Sequence, residues 1–376
     1  MGCLSRTSRG VMTALMLALA SCLGGEDSTR DASFPGSGNV GHRDAGSGGD
    51  TSSGRDASTS IDESNAADAS SATDASSAAD ASIGEDSVPA NPCVGKAWTT
   101  ADPTVAGPFE VAADKKVGPL AGYTPDPIYG DEQQRFNVYR PKTLATSGYC
   151  HPILVWANGH TDNPEQNPPK CVVDAAAGKW CGNYPPLINQ LVSHGFVVIA
   201  SLSTTTAKGD PLPTIVGLDW LLKQAEDPTS AYYHRLDTAH IGALGHSEGG
   251  ASTCKAAPDP RISAIATVSG TSAISSLHGP ALFFCGGKEA ASVCDGIEKI
   301  FAAVKDHPAM FIDNLASDHG GWLFQGTGGP TMAGFTAWFR AHLMGDTESR
   351  KRFYGSGCTF CSDSRVKVER NTLMSQ

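Results

Sequence analysis

The chain has 376 residues and a formal net charge of −11, and this charge is unevenly distributed. Residues 23–90 contain 13 acidic and 3 basic side chains but almost no large apolar ones, so this stretch cannot bury a core. The negative charge therefore belongs to a solvated segment and implies no cationic partner. No basic patch of the kind that binds nucleic acid is evident, so we expect no nucleic-acid partner.

Residues 1–21 have the features of a bacterial export signal. Two arginines precede the apolar run VMTALMLALA, which is too short to span a bilayer as a stable helix. The following LASC resembles a lipobox, so we expect cleavage before Cys22 and a lipid anchor on that residue. In the alternative, the cleavage site is an ordinary one and Cys22 is incidental. The protein is thus expected to be exported and lipid-anchored at the bacterial cell envelope, facing the periplasm or the surface.

The remainder divides into two parts. Residues 22–90 are predicted to form a disordered tether rich in Ser, Ala and Asp, in which DASSAT, DASSAA and DASIGE follow one another. Residues 91–376 are long enough for one α/β domain with a substantial core, followed by a cysteine-containing C-terminal tail.

Within this domain, short apolar runs alternate with stretches of helical spacing. The runs that predict strands are 135–141, 152–159, 196–203, 238–245, 262–270, 280–287 and 309–317. The stretches that predict helices are 185–195, 214–227, 247–257, 294–304 and 331–345. This alternation predicts a mostly parallel central sheet with helices on both faces. Only about ten residues separate the strands 262–270 and 280–287, too few for a large helical lid.

The domain contains many cysteines, and because the protein is expected to be exported, these cysteines are expected to form disulfides. The pairs that bracket a short polar segment are Cys171 with Cys181 and Cys285 with Cys294. Cys254 is expected to be a buried free thiol on the helix 247–257. The CTFC motif at 358–361 has no second CxxC, which argues against a zinc site, and no metal or cofactor is expected.

The segment GALGHSEGGAS, residues 242–252, carries the strongest chemical signal. Ser247 lies between Gly245 and Gly249, at the end of a predicted strand and the start of a predicted helix. This is the pattern of a nucleophile elbow, in which a sharp turn exposes the serine hydroxyl. The backbone N–H of Glu248 would then face an oxyanion. The alternative is an ordinary serine in a glycine-rich turn.

A nucleophilic serine needs a base and an acid from later loops. His319 follows the strand 309–317 and has glycine neighbours, so it is the predicted base, with His307 and His278 as alternatives. Glu289 follows the strand 280–287 and is the predicted acid. The alternatives for the acid are Asp295, Asp313 and Asp318.

The second oxyanion donor is expected in the NGHT segment, after the strand 152–159. Gly159 permits an unusual backbone conformation there, so that the N–H of His160 can point at the reacting oxygen. The alternative is a plain Asn-Gly turn.

Taken together, the segments ILVWANGHT, HGFVVIAS, RLDTAHIGALGHSEGG, PDPRISAIATVSG, GPALFFCGG and SDHGGW resemble the PET hydrolase/cutinase-like branch of bacterial α/β-hydrolases. The resemblance covers roughly residues 105–345. It implies the α/β-hydrolase fold, a triad of Ser247, Glu289 and His319, and oxyanion donors at His160 and Glu248.

The resemblance also has departures. The family usually has Asp as the acid and Met or Gln after the serine, where this chain has Glu289 and Glu248. Polyester-cleaving members carry a tryptophan after the sixth strand, where this chain has VSGTSA, and this argues against aromatic-polyester activity. An insertion follows the oxyanion loop, and its Trp180 and Tyr184 could line a substrate groove or pack against the body. Trp322 is a further candidate substrate-binding residue.

The expected function is that of a serine ester hydrolase that works through a Ser-His-Glu triad and an acyl-enzyme. Its partners would be a small or polymeric ester substrate and the membrane that holds the lipid anchor. The alternatives are an amidase or polysaccharide acetyl esterase on the same scaffold, and a non-catalytic surface lipoprotein with a hydrolase fold.

Overall fold

The computed structural model describes residues 101–123, 135–159, 184–202 and 213–375. In these ranges nine strands form one sheet in the order β1-β2-β4-β3-β5-β6-β7-β8-β9. The strands are β1 Val111–Val117, β2 Phe136–Pro141, β3 His151–Ala157, β4 Val197–Ser201, β5 Leu236–His246, β6 Ile262–Val268, β7 Ala281–Gly286, β8 Ala309–Asn314 and β9 Val366–Arg370.

Six neighbouring strands, β4-β3-β5-β6-β7-β8, run parallel. The strands at the margins are antiparallel: β1 pairs with β2, β2 pairs with β4, and β9 pairs with β8. The expected mostly parallel sheet is confirmed. Because the six parallel strands point the same way, the loops that follow them gather at one edge of the sheet, where ligands bind in open α/β sheets.

Helices cover both faces of this sheet, as predicted. The helices are α1 Pro185–Ser193, α2 Pro213–Glu226, α3 Glu248–Ala256, α4 Ala291–Ala303, α5 Pro330–Leu343 and α6 Thr347–Arg350. The helices α1 and α5 pack into one hydrophobic cluster, and α2, α3 and α4 pack into a second one. None of the described helices has the length and apolarity that a membrane span requires.

The strand sequences explain these two clusters. In β3, Leu154 and Trp156 face the cluster of α1 and α5, whereas Ile153 and Val155 face the other. Successive side chains of a strand point to opposite faces, so a strand covered on both faces must be apolar throughout. The residues that connect β6 to β7 form no helix, which agrees with the expected lack of a lid at this point.

Two predictions for cysteines of the described ranges are confirmed, and one further bond was not predicted. Cys285 is bonded to Cys294, which confirms that prediction, and the CTFC cysteines Cys358 and Cys361 are bonded to each other. Cys254 is a free, buried thiol, as predicted. The predicted pair Cys171–Cys181 and the predicted lipidation site at Cys22 lie outside the described residues.

Candidate active site

Ser247 lies at the turn between β5 and α3. Its backbone has φ 56° and ψ −123°, a combination that residues with side chains rarely adopt. Its N–H donates to the carbonyl of Val268 on β6 at 3.0 Å, and its own carbonyl accepts from the N–H of Gly250 at 2.9 Å. These hydrogen bonds hold the turn against the neighbouring strand and start the helix.

Small residues around Ser247 make this turn possible. A Cβ at Gly245 would lie 2.2 Å from the carbonyl oxygen of Gly249. A Cβ at Gly249 would lie 2.0 Å from the carbonyl oxygen of Ala157, and one at Gly270 would lie 1.9 Å from that of Ser247. All three atoms belong to the backbone and cannot swing aside. The glycines therefore allow β3, β5, the loop after β6 and α3 to approach closely.

The structure brings Ser247, His319 and Glu289 into one hydrogen-bonded chain. The Nε2 atom of His319 is 3.0 Å from the hydroxyl oxygen of Ser247. The Nδ1 atom of His319 is 2.8 Å from Oε2 of Glu289. The three side chains follow β5, β8 and β7 respectively, so all stand at the carboxyl edge of the parallel strands.

The Glu289 carboxylate is enclosed, since its side chain is 2% exposed. Its Oε1 accepts from the hydroxyl of Ser269 at 2.5 Å and from the N–H of Gly286 at 2.9 Å, in addition to the His319 contact of Oε2. Burial disfavours its ionised form, but hydrogen bonds from His319, Ser269 and Gly286 outweigh burial, so its pKa lies below the ordinary value. Glu289 can therefore be a carboxylate that holds the imidazole and stabilises its cation.

The candidate acids Asp295 and Asp318 have different surroundings. Asp295 is exposed on the first turns of α4. The Oδ1 atom of Asp318 accepts from the N–H groups of Gly320 and Gly321, so this carboxylate shapes the loop of His319. The third alternative acid, Asp313, has a pKa raised by burial. The alternative bases have other partners: His307 is paired with Asp306, and His278 contacts the Pro258 carbonyl.

Of the two proposed oxyanion donors, Glu248 lies within the described residues. Glu248 is the first residue of α3 and directly follows Ser247, so its backbone N–H is at the positive end of that helix. His160 lies outside the described residues. The residues before it are described: the Asn158 side chain accepts from Nε1 of Trp156 at 2.8 Å and donates to the carbonyl of Ser201 at 2.8 Å.

The structure contradicts the prediction that Tyr184 and Trp322 bind substrate. Tyr184 and Trp322 are each 1% exposed, so neither can line an open groove. Their rings are stacked on each other with centroids 6.1 Å apart, and Tyr184 also packs on Trp156. Both belong to the hydrophobic cluster of α1 and α5. Burial of such large aromatic rings stabilises the folded state, whereas a ring exposed in a groove would not contribute this free energy. Trp180 lies outside the described residues.

Sequence reasoning missed two residues that contact the triad. Ser269, with φ 55°, donates to Glu289. His246 precedes Ser247 and is buried, with Nε2 at 2.7 Å from the His319 carbonyl oxygen and Nδ1 at 2.6 Å from the Tyr184 hydroxyl. The signal for His246 was its place inside the GHSEGG motif, where a polar residue follows the buried apolar run IGALG of β5.

Comparison with known proteins gives one family. The model of a family described as PET hydrolase-like matches residues 171–372, which is more than half of the chain. The matched range contains Ser247, Glu289 and His319. No curated protein matches the chain.

Proposed function

Because the chain belongs to the PET hydrolase-like family of α/β-hydrolases, and is thus a hydrolase that acts on esters, we propose that it is a serine esterase. In this proposal Ser247 is the nucleophile, His319 the general base and Glu289 the acid that orients the base. The observation that carries the proposal is the unbroken chain of 3.0 Å and 2.8 Å contacts from the Ser247 hydroxyl through the imidazole to Glu289.

The reaction follows from these contacts. Ser247 Oγ attacks the ester carbonyl carbon while His319 Nε2 takes the hydroxyl proton. The bond to the alcohol oxygen then breaks as His319 gives that proton to the leaving alkoxide, and an acyl-enzyme remains. Water then attacks the acyl carbon while His319 takes one of its protons; the bond from the acyl carbon to Ser247 Oγ breaks, and His319 returns that proton to Oγ, which releases the acid and restores the serine. Glu289 stays ionised throughout and stabilises the imidazolium.

The negative oxygen that forms in each step needs hydrogen-bond donors. We assign this role to the backbone N–H groups of Glu248 and His160. The position of Glu248 as the first residue of α3 supports its part, because the N-terminus of a helix stabilises negative charge. For His160 the support is its place in the chain, two residues after Asn158, which is held at the end of β3.

For the substrate we propose small acyl esters or an extended polyester. The lack of a helix between β6 and β7 supports a site without a lid there, unlike lipases that enclose long acyl chains. An amidase and a polysaccharide acetyl esterase would use the same triad, so a panel of substrates has to separate them.

We further propose that the protein is exported and anchored through Cys22. The Cys285–Cys294 and Cys358–Cys361 disulfides support an oxidising compartment, since such bonds are rare in the cytosol. Radiolabelled palmitate should label the full chain expressed in a bacterium and fail to label Cys22→Ser. Equal labelling of both would contradict the anchor.

A fluorophosphonate probe tests the serine mechanism. The probe should label the full chain with its disulfides intact, and Ser247→Ala should abolish both labelling and hydrolysis of p-nitrophenyl acetate. A folded chain that is not labelled would favour a non-catalytic binding protein. Comparison of p-nitrophenyl acetate, butyrate and palmitate with a polyester film, an anilide and acetylated xylan then gives the substrate class.

A further inference from the structure

A second histidine, His246, lies next to the proposed triad and has no role in the chemistry described above. It is the last residue of β5 and is 4% exposed. Its ring is 4.8 Å from the ring of His319, measured between centroids. Both of its nitrogens have hydrogen-bond partners, namely the Tyr184 hydroxyl and the main-chain carbonyl of His319.

The partners decide where the protons are. A carbonyl oxygen can only accept, so Nε2 of His246 must carry a hydrogen and donate it to His319. In a neutral imidazole the other nitrogen then accepts, and the Tyr184 hydroxyl is its donor. Burial lowers the pKa of His246 to about 3, and the nearby His319 acts in the same direction, so the ring is neutral at ordinary pH.

The hydrogen bond from His246 holds the main chain of His319, which carries the proposed base. His319 lies in the loop between β8 and the 3₁₀ helix Gly321–Gln325, and its side chain is 50% exposed. A ring that is so exposed receives little support from packing, so the position of Nε2 depends on the Glu289 contact, which orients the ring, and on the main chain that carries it. His246 holds the His319 carbonyl, and His246 itself is fixed in β5 beside Ser247.

Tyr184 in turn is held rigidly. It precedes α1 with φ 45°, and its ring lies 4.6 Å from that of Trp156 and 6.1 Å from that of Trp322. Packing against these two rings fixes the orientation of the Tyr184 ring and therefore the position of its hydroxyl oxygen. The His319 carbonyl makes Nε2 of His246 the donor, and the Tyr184 hydroxyl stabilises this tautomer by donating to Nδ1.

We propose that Tyr184 and His246 are positioning residues, whose hydrogen bonds hold the main chain of His319 at the distance from Ser247 that proton transfer requires. This inference rests on the proposed serine mechanism. Neither residue touches the reacting atoms; each acts through the next one, from Tyr184 to His246 and from His246 to His319. A displacement of about 1 Å at such a base can lower a rate by about 100-fold.

The test compares substitutions at His246 and Tyr184 in the full chain, with p-nitrophenyl butyrate as substrate. His246→Leu should lower kcat by about 30-fold and change KM by less than about twofold, because substrate binding is untouched while the base is misplaced. Tyr184→Phe should lower kcat by about fivefold. His246→Gln keeps an N–H donor for the His319 carbonyl and should retain most of the activity.

The chain offers a matched control in His151. This histidine is also buried, and its Nδ1 contacts the carbonyl of Gly195 at 2.7 Å and its Nε2 the Ser147 hydroxyl at 2.9 Å. It lies at the other end of the parallel strands, at the start of β3. His151→Leu should lower the melting temperature about as much as His246→Leu but leave kcat within about twofold.

The outcomes separate the two proposals. Loss of activity in Ser247→Ala together with unchanged kcat in Tyr184→Phe, and in His246→Leu where it folds, would overturn the positioning role alone. The same holds if His151→Leu lowers kcat as much as His246→Leu does. If His246→Leu does not fold, Tyr184→Phe decides, since it removes only one oxygen. Activity that persists in Ser247→Ala would overturn the serine mechanism itself.

Discussion

At the scale of single residues, Glu289 combines deep burial with a lowered pKa. Burial alone would raise the pKa, but three donors converge on the two carboxylate oxygens. In the proposed mechanism, an amide in place of this carboxylate would lack the charge that stabilises the His319 cation and would present an N–H₂ group where acceptors are needed. The shape of the side chain would be retained.

Glu289→Gln should therefore lower kcat on p-nitrophenyl acetate by about 1,000-fold or more, with little change in KM. Circular dichroism should show an intact fold. The control is Asp295→Asn, which alters an exposed carboxylate of α4 and should leave kcat within about twofold. A large loss in Asp295→Asn with normal activity in Glu289→Gln would contradict the role of Glu289.

The sequence was informative for residues whose role depends on chain order. That Ser247, Glu289 and His319 lie close together could be predicted because each follows a strand of a parallel sheet, and such strands end at one edge; their catalytic roles stay predictions. It was misleading for Tyr184 and Trp322. Nearness to the site along the chain does not tell whether a ring turns toward solvent or toward the core, and for both rings the gain from burial decided. The roles of His160, Trp180 and Cys22 stay predictions.

At the scale of elements, the link between β7 and α4 is short and covalently closed. Cys285 near the end of β7 is bonded to Cys294 on the first turn of α4, and the loop between the two elements carries Glu289. This bond limits how far α4 can move from the strand. It therefore bears both on the stability of the domain and on the position of the Glu289 carboxylate.

Replacing Cys285 and Cys294 by alanine should lower the free energy of unfolding by about 2.5 kcal/mol and lower kcat by about fivefold. The matched control replaces the Cys358–Cys361 pair, which closes a shorter loop in the C-terminal part of the chain. That change should lower stability without lowering kcat. Thermal unfolding and hydrolysis rates check both, and equal effects of the two changes on kcat would contradict a special role of the first bond.

The strands β2 to β8 were predictable, whereas the two outermost strands were not. Strands β3 to β8 each contain an apolar run, because helices cover both of their faces, and such runs stand out in a sequence. The outer strands β1 and β9 escaped prediction. Both are half exposed, and their sequences VAADKKV and VKVER contain charged residues, as is typical of strands at the edge of a sheet.

At the scale of the whole molecule, a buried polar cluster joins the first described residues to the body. His194 donates from Nε2 to the carbonyl of Val105 at 2.9 Å and accepts at Nδ1 from Arg340 at 3.1 Å. Arg340 also pairs with Asp346 at 2.6 Å. Both hydrogen bonds of His194 require a neutral ring. Burial lowers its pKa to about 4, and the positive charge of Arg340 acts in the same direction.

This lowered pKa makes stability depend on pH. An unfolded histidine has a pKa of about 6.5, so between that pH and about 4 the unfolded chain binds a proton that the folded chain excludes. The free energy of unfolding should therefore fall as the pH falls through this window. His194 alone should account for a loss of about 2 kcal/mol between pH 7.5 and pH 5.

Urea unfolding at the two pH values checks this prediction. His194→Gln cannot titrate at this position. Its free energy of unfolding should therefore fall by about 2 kcal/mol less than that of the unaltered chain between pH 7.5 and pH 5. His278→Gln replaces an exposed histidine and should behave like the unaltered chain. If His194→Gln loses as much stability on acidification as the unaltered chain, the assignment to His194 is wrong.

The free thiol of Cys254 gives the molecule an internal reporter. It is fully buried on α3, seven residues beyond Ser247, and α3 is the helix that begins directly after Ser247. A water-borne alkylating reagent can reach this sulfur only when α3 lifts from the sheet, and that motion also dismantles the turn at Ser247. Because each sulfur reacts only once, the rate of alkylation at Cys254 would measure how often α3 and the Ser247 turn open together.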